Sequence, residues 1–203
     1  MLAIHLRDIS PGVVAAWEVA FASALGVQVS CGDIFANAAD AIVSPANSFG
    51  YMDGGIDLVY SRFFGWELQE KLQAQLLAEH FGELPVGQAV IVPTGHASIP
   101  FLVSAPTMRV PSSIAKTLNV YLAFRAALIA VRNHNATSER STPFWCRAWA
   151  LALARFRQSV PLGKCGALTT SLFKMTVGEG AMWGQSGAST RAPGASFLAT
   201  MMP

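Results

Sequence analysis

Residues 44–57 read S-P-A-N-S-F-G-Y-M-D-G-G-I-D, and they follow directly on the apolar run Ala41-Ile42-Val43. These fourteen residues hold one asparagine, three glycines and two aspartates, with few apolar side chains to pin a loop. A chain that leaves a buried strand for a polar, glycine-rich segment does so when its backbone must come close to something. Gly54-Gly55 precedes a predicted helix that starts near Ile56. The first amides of a helix have no acceptor within it and carry partial positive charge. That combination suits a phosphate. A tight strand-to-helix turn would use the same two glycines, so the pair alone leaves both readings open.

Outward from this stretch, the chain alternates strand-like and helix-like segments. Residues 2–7 alternate loosely as a short strand. Ser10-Pro11 reads as an N-cap with proline at the first helical position. Val14, Trp17, Phe21 and Leu25 then fall at helical spacing, up to Gly26. Residues 27–30 and 40–43 are strands, and the turn Cys31-Gly32-Asp33-Ile34 follows the first of them. A helix is predicted from about Trp66 to Phe81, with Leu68, Leu72, Leu76 and Leu77 on one face. Residues 88–93 and 101–104 are strand-like. Ser112 or Ser113 is expected to cap a long helix through about Val131, with Ile114, Leu118, Leu122 and Leu128 inward. Alternation of this kind predicts an α/β sheet covered on both faces. Ligands of such sheets sit beyond the carboxyl ends of strands. Both the 44–57 segment and the Gly32-Asp33 turn lie at such ends.

The chain has 203 residues, 52% of them hydrophobic and 13% charged. The charged share is well below the usual one of about 25%, and the apolar content is enough for a core. The net charge of +2 gives no argument for nucleic acid as a partner. The three cysteines, Cys31, Cys146 and Cys165, form no C-x-x-C. They read as reduced thiols, which makes a cytoplasmic location the expectation. No apolar run reaches the ~18 residues of a membrane span, and Arg125 interrupts the best candidate. The N-terminus lacks the charged-then-apolar order of a signal peptide.

The G-D-I of residues 32–34, the D-A-I-V-S-P-A-N of residues 40–47 and the G-G-I-D of residues 54–57 together resemble the signature of the macro domain family. The resemblance continues through G-E-L-P-V-G-Q-A-V-I-V-P-T-G at residues 82–95 and covers roughly residues 1–133. It implies a three-layer α/β/α sandwich with a mixed central sheet that binds ADP-ribose or an ADP-ribose derivative. Some members hydrolyse ADP-ribose linkages, by de-ADP-ribosylation or by processing ADP-ribose 1″-phosphate. The resemblance implies no cofactor and no metal. Its partner is ADP-ribose or an ADP-ribosylated substrate.

The same resemblance assigns roles at matching positions. Asp33 would accept a hydrogen bond from the adenine amino group, and the Ile34 amide would donate to the ring. Asn47 would contact hydroxyls of the distal ribose. Gly54, Gly55 and Ile56 would lend amides to the diphosphate and distal ribose. Asp57 lies ten residues after Asn47, the spacing seen in hydrolase members, where it orients or activates a water as a general base. Asn47 and Asp57 are thus the implied catalytic pair. The residues themselves allow plainer roles: Asn47 as a turn residue, Asp57 as a first-turn helix acid, Asp33 as a turn or cap. The chain also departs from the family pattern. Ser61 stands where many hydrolase members have histidine, Ser44-Pro45-Ala46-Asn47 replaces the common N-A-A-N, and Asp53 stands where a further glycine is common. His96, after Thr94-Gly95, reads as a loop histidine with no assigned role.

Composition changes sharply near residue 133. Residues 1–133 carry net −3, whereas residues 134–203 carry net +5 with only Glu139 and Glu179 acidic. Macro domains close the diphosphate with a second glycine-rich loop, expected here near residues 143–155. That stretch reads P-F-W-C-R-A-W-A-L-A-L-A-R and has no glycine. One reading is an ordinary apolar strand or helix of a divergent chain. The other comes from the genetic code. Read from the third base of each codon from Pro143, Phe144-Trp145-Cys146 permits I-L-V. The Trp149–Ala150 junction then forces glycine, and Ala148, Ala150, Ala152 and Ala154 all permit it. One allowed string begins I-L-V-P-G-L-G-T-G-V-G, a strand and a glycine-rich loop. The expectation is a macro domain-like region over 1–133, followed by an atypical tail over 134–203. That tail would be out of its ancestral frame and partly disordered, in place of the C-terminal strand–helix unit.

Three functions stand side by side on these residues: an ADP-ribose-binding module, an ADP-ribosyl hydrolase, and a structural or interaction protein that keeps a truncated fold without the ligand. Nucleic-acid binding through the basic tail is disfavoured by charge distribution, because its cations are scattered among Ala, Leu and Trp.

Overall fold

The computed structural model describes residues 2–137 and 146–149. The expected out-of-frame tail falls almost wholly outside the described residues. The elements run β1 (Ile4–Asp8), α1 (Pro11–Phe21), β2 (Val27–Cys31), β3 (Ala41–Ser44), α2 (Gly55–Phe64), α3 (Glu67–His80), β4 (Val90–His96), β5 (Ile99–Ser104), α4 (Asn119–Thr137) and β6 (Cys146–Trp149). They form one sheet in the order β2-β1-β6-β3-β5-β4. Its pairs are parallel except β4 with β5, which is antiparallel. The mixed sheet and the α/β/α layering are those expected. β6 occupies the central place between β1 and β3, so residues of the written sequence fill the slot where a replaced C-terminal strand was anticipated.

Strand alternation builds the two cores. Successive side chains of a strand face opposite sides. Ala41 and Val43 of β3 therefore meet Trp17 and Phe21 of α1 and Phe124, Ala127 and Leu128 of α4 in one cluster. Ile42 and its β5 partner Leu102 meet Tyr60 of α2 and Leu68, Leu72 and Leu76 of α3 in the other. The three leucines recur every four residues, the spacing of one helix face. Each is at most 1% exposed, and burying a leucine contributes about 1.5–3 kcal/mol.

The helices differ from expectation in three places. Leu77 is 70% exposed, because Leu76 already holds the facing position and the next residue turns about 100° away from it. α1 ends at Phe21, and Leu25 is exposed beyond it in the turn that Gly26 completes at φ +83°. α4 begins at Asn119, not at a Ser112 or Ser113 cap. Thr117 intervenes: its amide and hydroxyl both bond the Ile114 carbonyl, and its Oγ1 accepts from the Asn119 amide. This local turn competes with helix before residue 119. Leu118 is left exposed, Leu122 sits at the boundary, and Ile114 is buried in the loop. Among the described residues no helix is long and apolar enough to cross a membrane.

Candidate functional site

The carboxyl ends of β3 and β5 open into two loops that run alongside each other. The Ala105 amide bonds the Ser44 carbonyl, Thr107 bonds Ala46, and Ser48 bonds Met108. The strand pairing thus continues past the sheet and holds both loops in fixed register. Between them lies a cavity of about 250 Å³, near the small end of ligand pockets, which begin at about 300 Å³. One wall is formed by residues 45–47, Tyr51 and residues 53–57. The other is formed by Thr107, Met108, Pro111, Ser112 and Ile114.

The first wall is the 44–57 segment. Asn47 organises it: its Nδ2 donates to the Tyr51 carbonyl, and its Oδ1 accepts from the Phe49 and Tyr51 amides. Gly50 lies at φ +69°, and a Cβ there would meet Leu72 and Leu76 at about 3.1 Å. The loop therefore presses its backbone onto α3, where Gln69 Oε1 accepts the Met52 amide. Gly54 is the N-cap of α2 and Gly55 its first residue, the latter at φ +57°. A Cβ on either glycine would meet nothing within 4 Å. The backbone at the start of α2 is thus bare toward the cavity, and first-turn amides have no acceptor inside the helix.

Asp57, in the first turn of α2, is 6% exposed. Ser44 Oγ donates to its Oδ1 at 2.5 Å. Burial pushes the Asp57 carboxyl up to about 6, against the opposing pull of the Ser44 hydrogen bond. Tyr60, one turn on, donates its hydroxyl to the Val43 carbonyl. Its own phenol is raised well above the ordinary range by burial, and then by the charge of Asp57. Ser61, at the position where histidine is common, is buried and bonds the Met52 carbonyl through Oγ. It braces the loop from inside rather than facing the cavity.

Of the sequence-predicted residues, Asn47, Gly54, Gly55, Ile56 and Asp57 come together around the cavity, with Asp53 at its edge. Asp33 and Ile34 are not among its lining residues. Asp33 is exposed in the turn after β2, its Oδ1 accepting from the Phe35 amide and its carbonyl from Arg7 Nε. Ile34 is buried in the α2–α3 core, and Phe35 stacks on Phe63 with ring centroids 3.9 Å apart. The expected second glycine-rich loop, near residues 143–155, lies outside the described residues except for the β6 backbone. Sequence reasoning missed the opposite wall, and Ile114 in particular was assigned to a helix. The available signal was positional: A-P-T-M-R-V-P at residues 105–111 leaves a strand end next to β3. Arg109 within it is drawn away into a bidentate pair with Glu83 and lies over the Phe49 ring.

The macro domain family model matches residues 43–141. Two curated relatives, both uncharacterised proteins, match over part of their length. One from Aquifex aeolicus is 36% identical over 104 residues, which is 51% of this chain and 59% of that protein. One from Aeropyrum pernix is 35% identical over 102 residues, 50% of this chain and 51% of that protein. The chain thus spans about half the length of the curated relatives it matches. Among solved structures, an asparagine-to-alanine variant of the Oceanobacillus iheyensis macrodomain superposes with a TM-score of 0.53 at 20% identity, covering 74% of each chain. That likeness is one of fold. Residues 43–141, from β3 through α4, therefore match the macro domain family model and lie in a sheet of macrodomain-like fold.

Proposed function

We propose that this chain binds ADP-ribose, free or attached to a substrate, in the cavity between the two loops. The observation that carries the reading is the bare start of α2. Gly54 and Gly55 present backbone to open space at a helix N-terminus, which is where a diphosphate is best received. On this reading the Gly54, Gly55 and Ile56 amides meet the diphosphate and distal ribose. The second Nδ2 hydrogen of Asn47 reaches a ribose hydroxyl, while its first holds the loop. Asp33 and Ile34 meet adenine beyond the cavity. Thr107, Met108 and Ile114 form the facing wall.

Asp57 gives the site a route to hydrolysis. At neutral pH a carboxyl titrating near 6 is mostly ionised. It would accept a proton from a water whose oxygen bonds to the anomeric carbon of the distal ribose. The bond to the linked group breaks, and that group leaves with the electron pair and takes up a proton. A structural protein without ligand is favoured by one feature, the absence of glycine from residues 143–155. Calorimetry with free ADP-ribose separates the readings. Micromolar binding that is lost in Asp33→Ala supports the site, and no heat from a folded sample overturns it. Asp57→Ala is expected to abolish turnover of an ADP-ribosylated substrate while binding persists. Unchanged turnover would remove Asp57 from the chemistry.

A further inference from the structure

We infer that Ser44 is the positioning residue of the Asp57 carboxylate: its hydroxyl ties one carboxylate oxygen to the end of β3 and leaves the other to the cavity. What this means for a ligand rests on the reading of the cavity given above, but the geometry stands independently of it. Ser44 is the last residue of β3 and is fully buried. Its backbone is held by parallel pairing with β5, where its register partner is Ser104. Register partners on neighbouring strands share a face of the sheet. Two buried hydroxyls therefore lie side by side beneath α2, and they differ in one respect. Ser44 Oγ donates to Asp57 Oδ1, whereas Ser104 Oγ is buried without a hydrogen-bond partner.

Among the described residues, the side-chain donor to Asp57 is Ser44, and the neighbouring polar side chains make their bonds elsewhere. Tyr60, on the same helix, gives its hydroxyl to Val43. Asp53, at the cavity edge, can only repel. α3 presents the neutral Gln69, whose Oε1 accepts from the Met52 amide. The loop opposite contributes Thr107, whose hydroxyl is given to the Pro45 carbonyl, and its Arg109 is paired with Glu83. A buried carboxylate without a donor is costly to ionise. Ser44 supplies that donor from a rigid strand, so it fixes both the rotamer and the charged form of Asp57.

The test is a carbon-detected NMR titration of the Asp57 carboxyl in the unliganded protein, in wild type, Ser44→Ala, Ser44→Cys and Ser104→Ala. Loss of the Ser44 donor is expected to raise the Asp57 midpoint by about one pH unit, the equivalent of one charge-assisted hydrogen bond. Ser44→Cys keeps the volume and weakens the donor, so it should raise the midpoint too, even if Ser44→Ala proves too unstable to titrate. Ser104→Ala removes an equally buried hydroxyl from the same face and should leave the midpoint where it is. An unchanged midpoint in the folded Ser44 variants overturns the inference. So does an equal rise in the Ser44 and Ser104 variants, since packing alone would then explain it. Calorimetry of the wild type with ADP-ribose is run beside it: absent binding would count against the proposed site and leave the role of Ser44 to be decided by the titration alone.

Discussion

Asn47 and Tyr51 are joined twice: Asn47 Nδ2 donates to the Tyr51 carbonyl at 2.7 Å, and the Tyr51 amide donates back to Asn47 Oδ1 at 3.2 Å. With the Phe49 amide also on Oδ1, at 3.1 Å, one side chain closes the whole turn between β3 and the glycine pair. Truncation to alanine removes all three bonds, each contributing about 1 kcal/mol net. Asn47→Ala is expected to destabilise the chain by about 1–3 kcal/mol and to speed amide exchange at Phe49 and Tyr51 selectively. Exchange at β4 and β5 amides should follow global stability only. Equal acceleration everywhere would mean that Asn47 supports the fold and not the loop.

Gly50 and Gly54 should respond oppositely to substitution. Gly50→Ala forces an unfavourable positive φ and drives a methyl group into Leu72 and Leu76. A cost of about 1–3 kcal/mol follows from strain and overpacking together. Gly54 has extended backbone, φ −138°, and open space around its missing Cβ. Gly54→Val should therefore cost about 1 kcal/mol or less, through poorer capping. It would place a branched side chain over the amides at the start of α2, and ADP-ribose affinity should fall at least about tenfold. Urea midpoints and calorimetry on the two variants check both halves. Full binding by Gly54→Val would show that the ligand does not use those amides.

Much of this was legible from residue order, for identifiable reasons. Ala41-Ile42-Val43 followed by a polar loop marks a buried strand and its functional end, since alternation has to stop where the sheet stops. The Gly54-Gly55 pair and Asp57 could be placed because helix starts have local chemistry. The facing wall was not legible. Thr107, Met108 and Ile114 reach the cavity only because β5 pairs with β3 in parallel, and that neighbour relation is not local. The Ser44–Asp57 bond was hidden likewise. It spans thirteen residues, and a serine in a strand gives no sign of its partner. Ser112 and Ser113 looked like caps, but Thr117 closes a turn of its own on Ile114 and moves the start of α4 to Asn119.

The segment after α4 yields a prediction about the gene. Cys146–Trp149 lies between β1 and β3, while no glycine is encoded over residues 143–155. We expect the coding DNA, read independently across codons of about 130–170, to differ by one base gained or lost, and the corrected frame to encode a strand followed by a glycine-rich loop. The corrected chain should then bind ADP-ribose more tightly than the present one by ~100-fold, the worth of two charge-assisted hydrogen bonds. DNA that matches the written frame and cannot encode that loop would establish the glycine-free stretch of residues 143–155 as a true divergence.

Asp57 makes the fold pH-dependent in a direction that can be worked out. Its carboxyl is raised in the folded chain to about 6 by burial, so the folded state holds the proton more tightly than the unfolded state. Stability from this group is fully present below about pH 4, the ordinary carboxylate value. It is lost as pH rises through about 6, after which the buried charge opposes folding by about 3 kcal/mol. Asp57→Asn keeps a Ser44 acceptor and removes the charge. Its urea midpoint should match wild type near pH 4, exceed it progressively between pH 4 and 6, and stay ahead by a constant margin above about pH 7. A gap that does not change with pH would mean that Asp57 is not titrating in this range. The same variant should lose hydrolytic turnover as it gains stability, the exchange expected where a charge is kept buried for function.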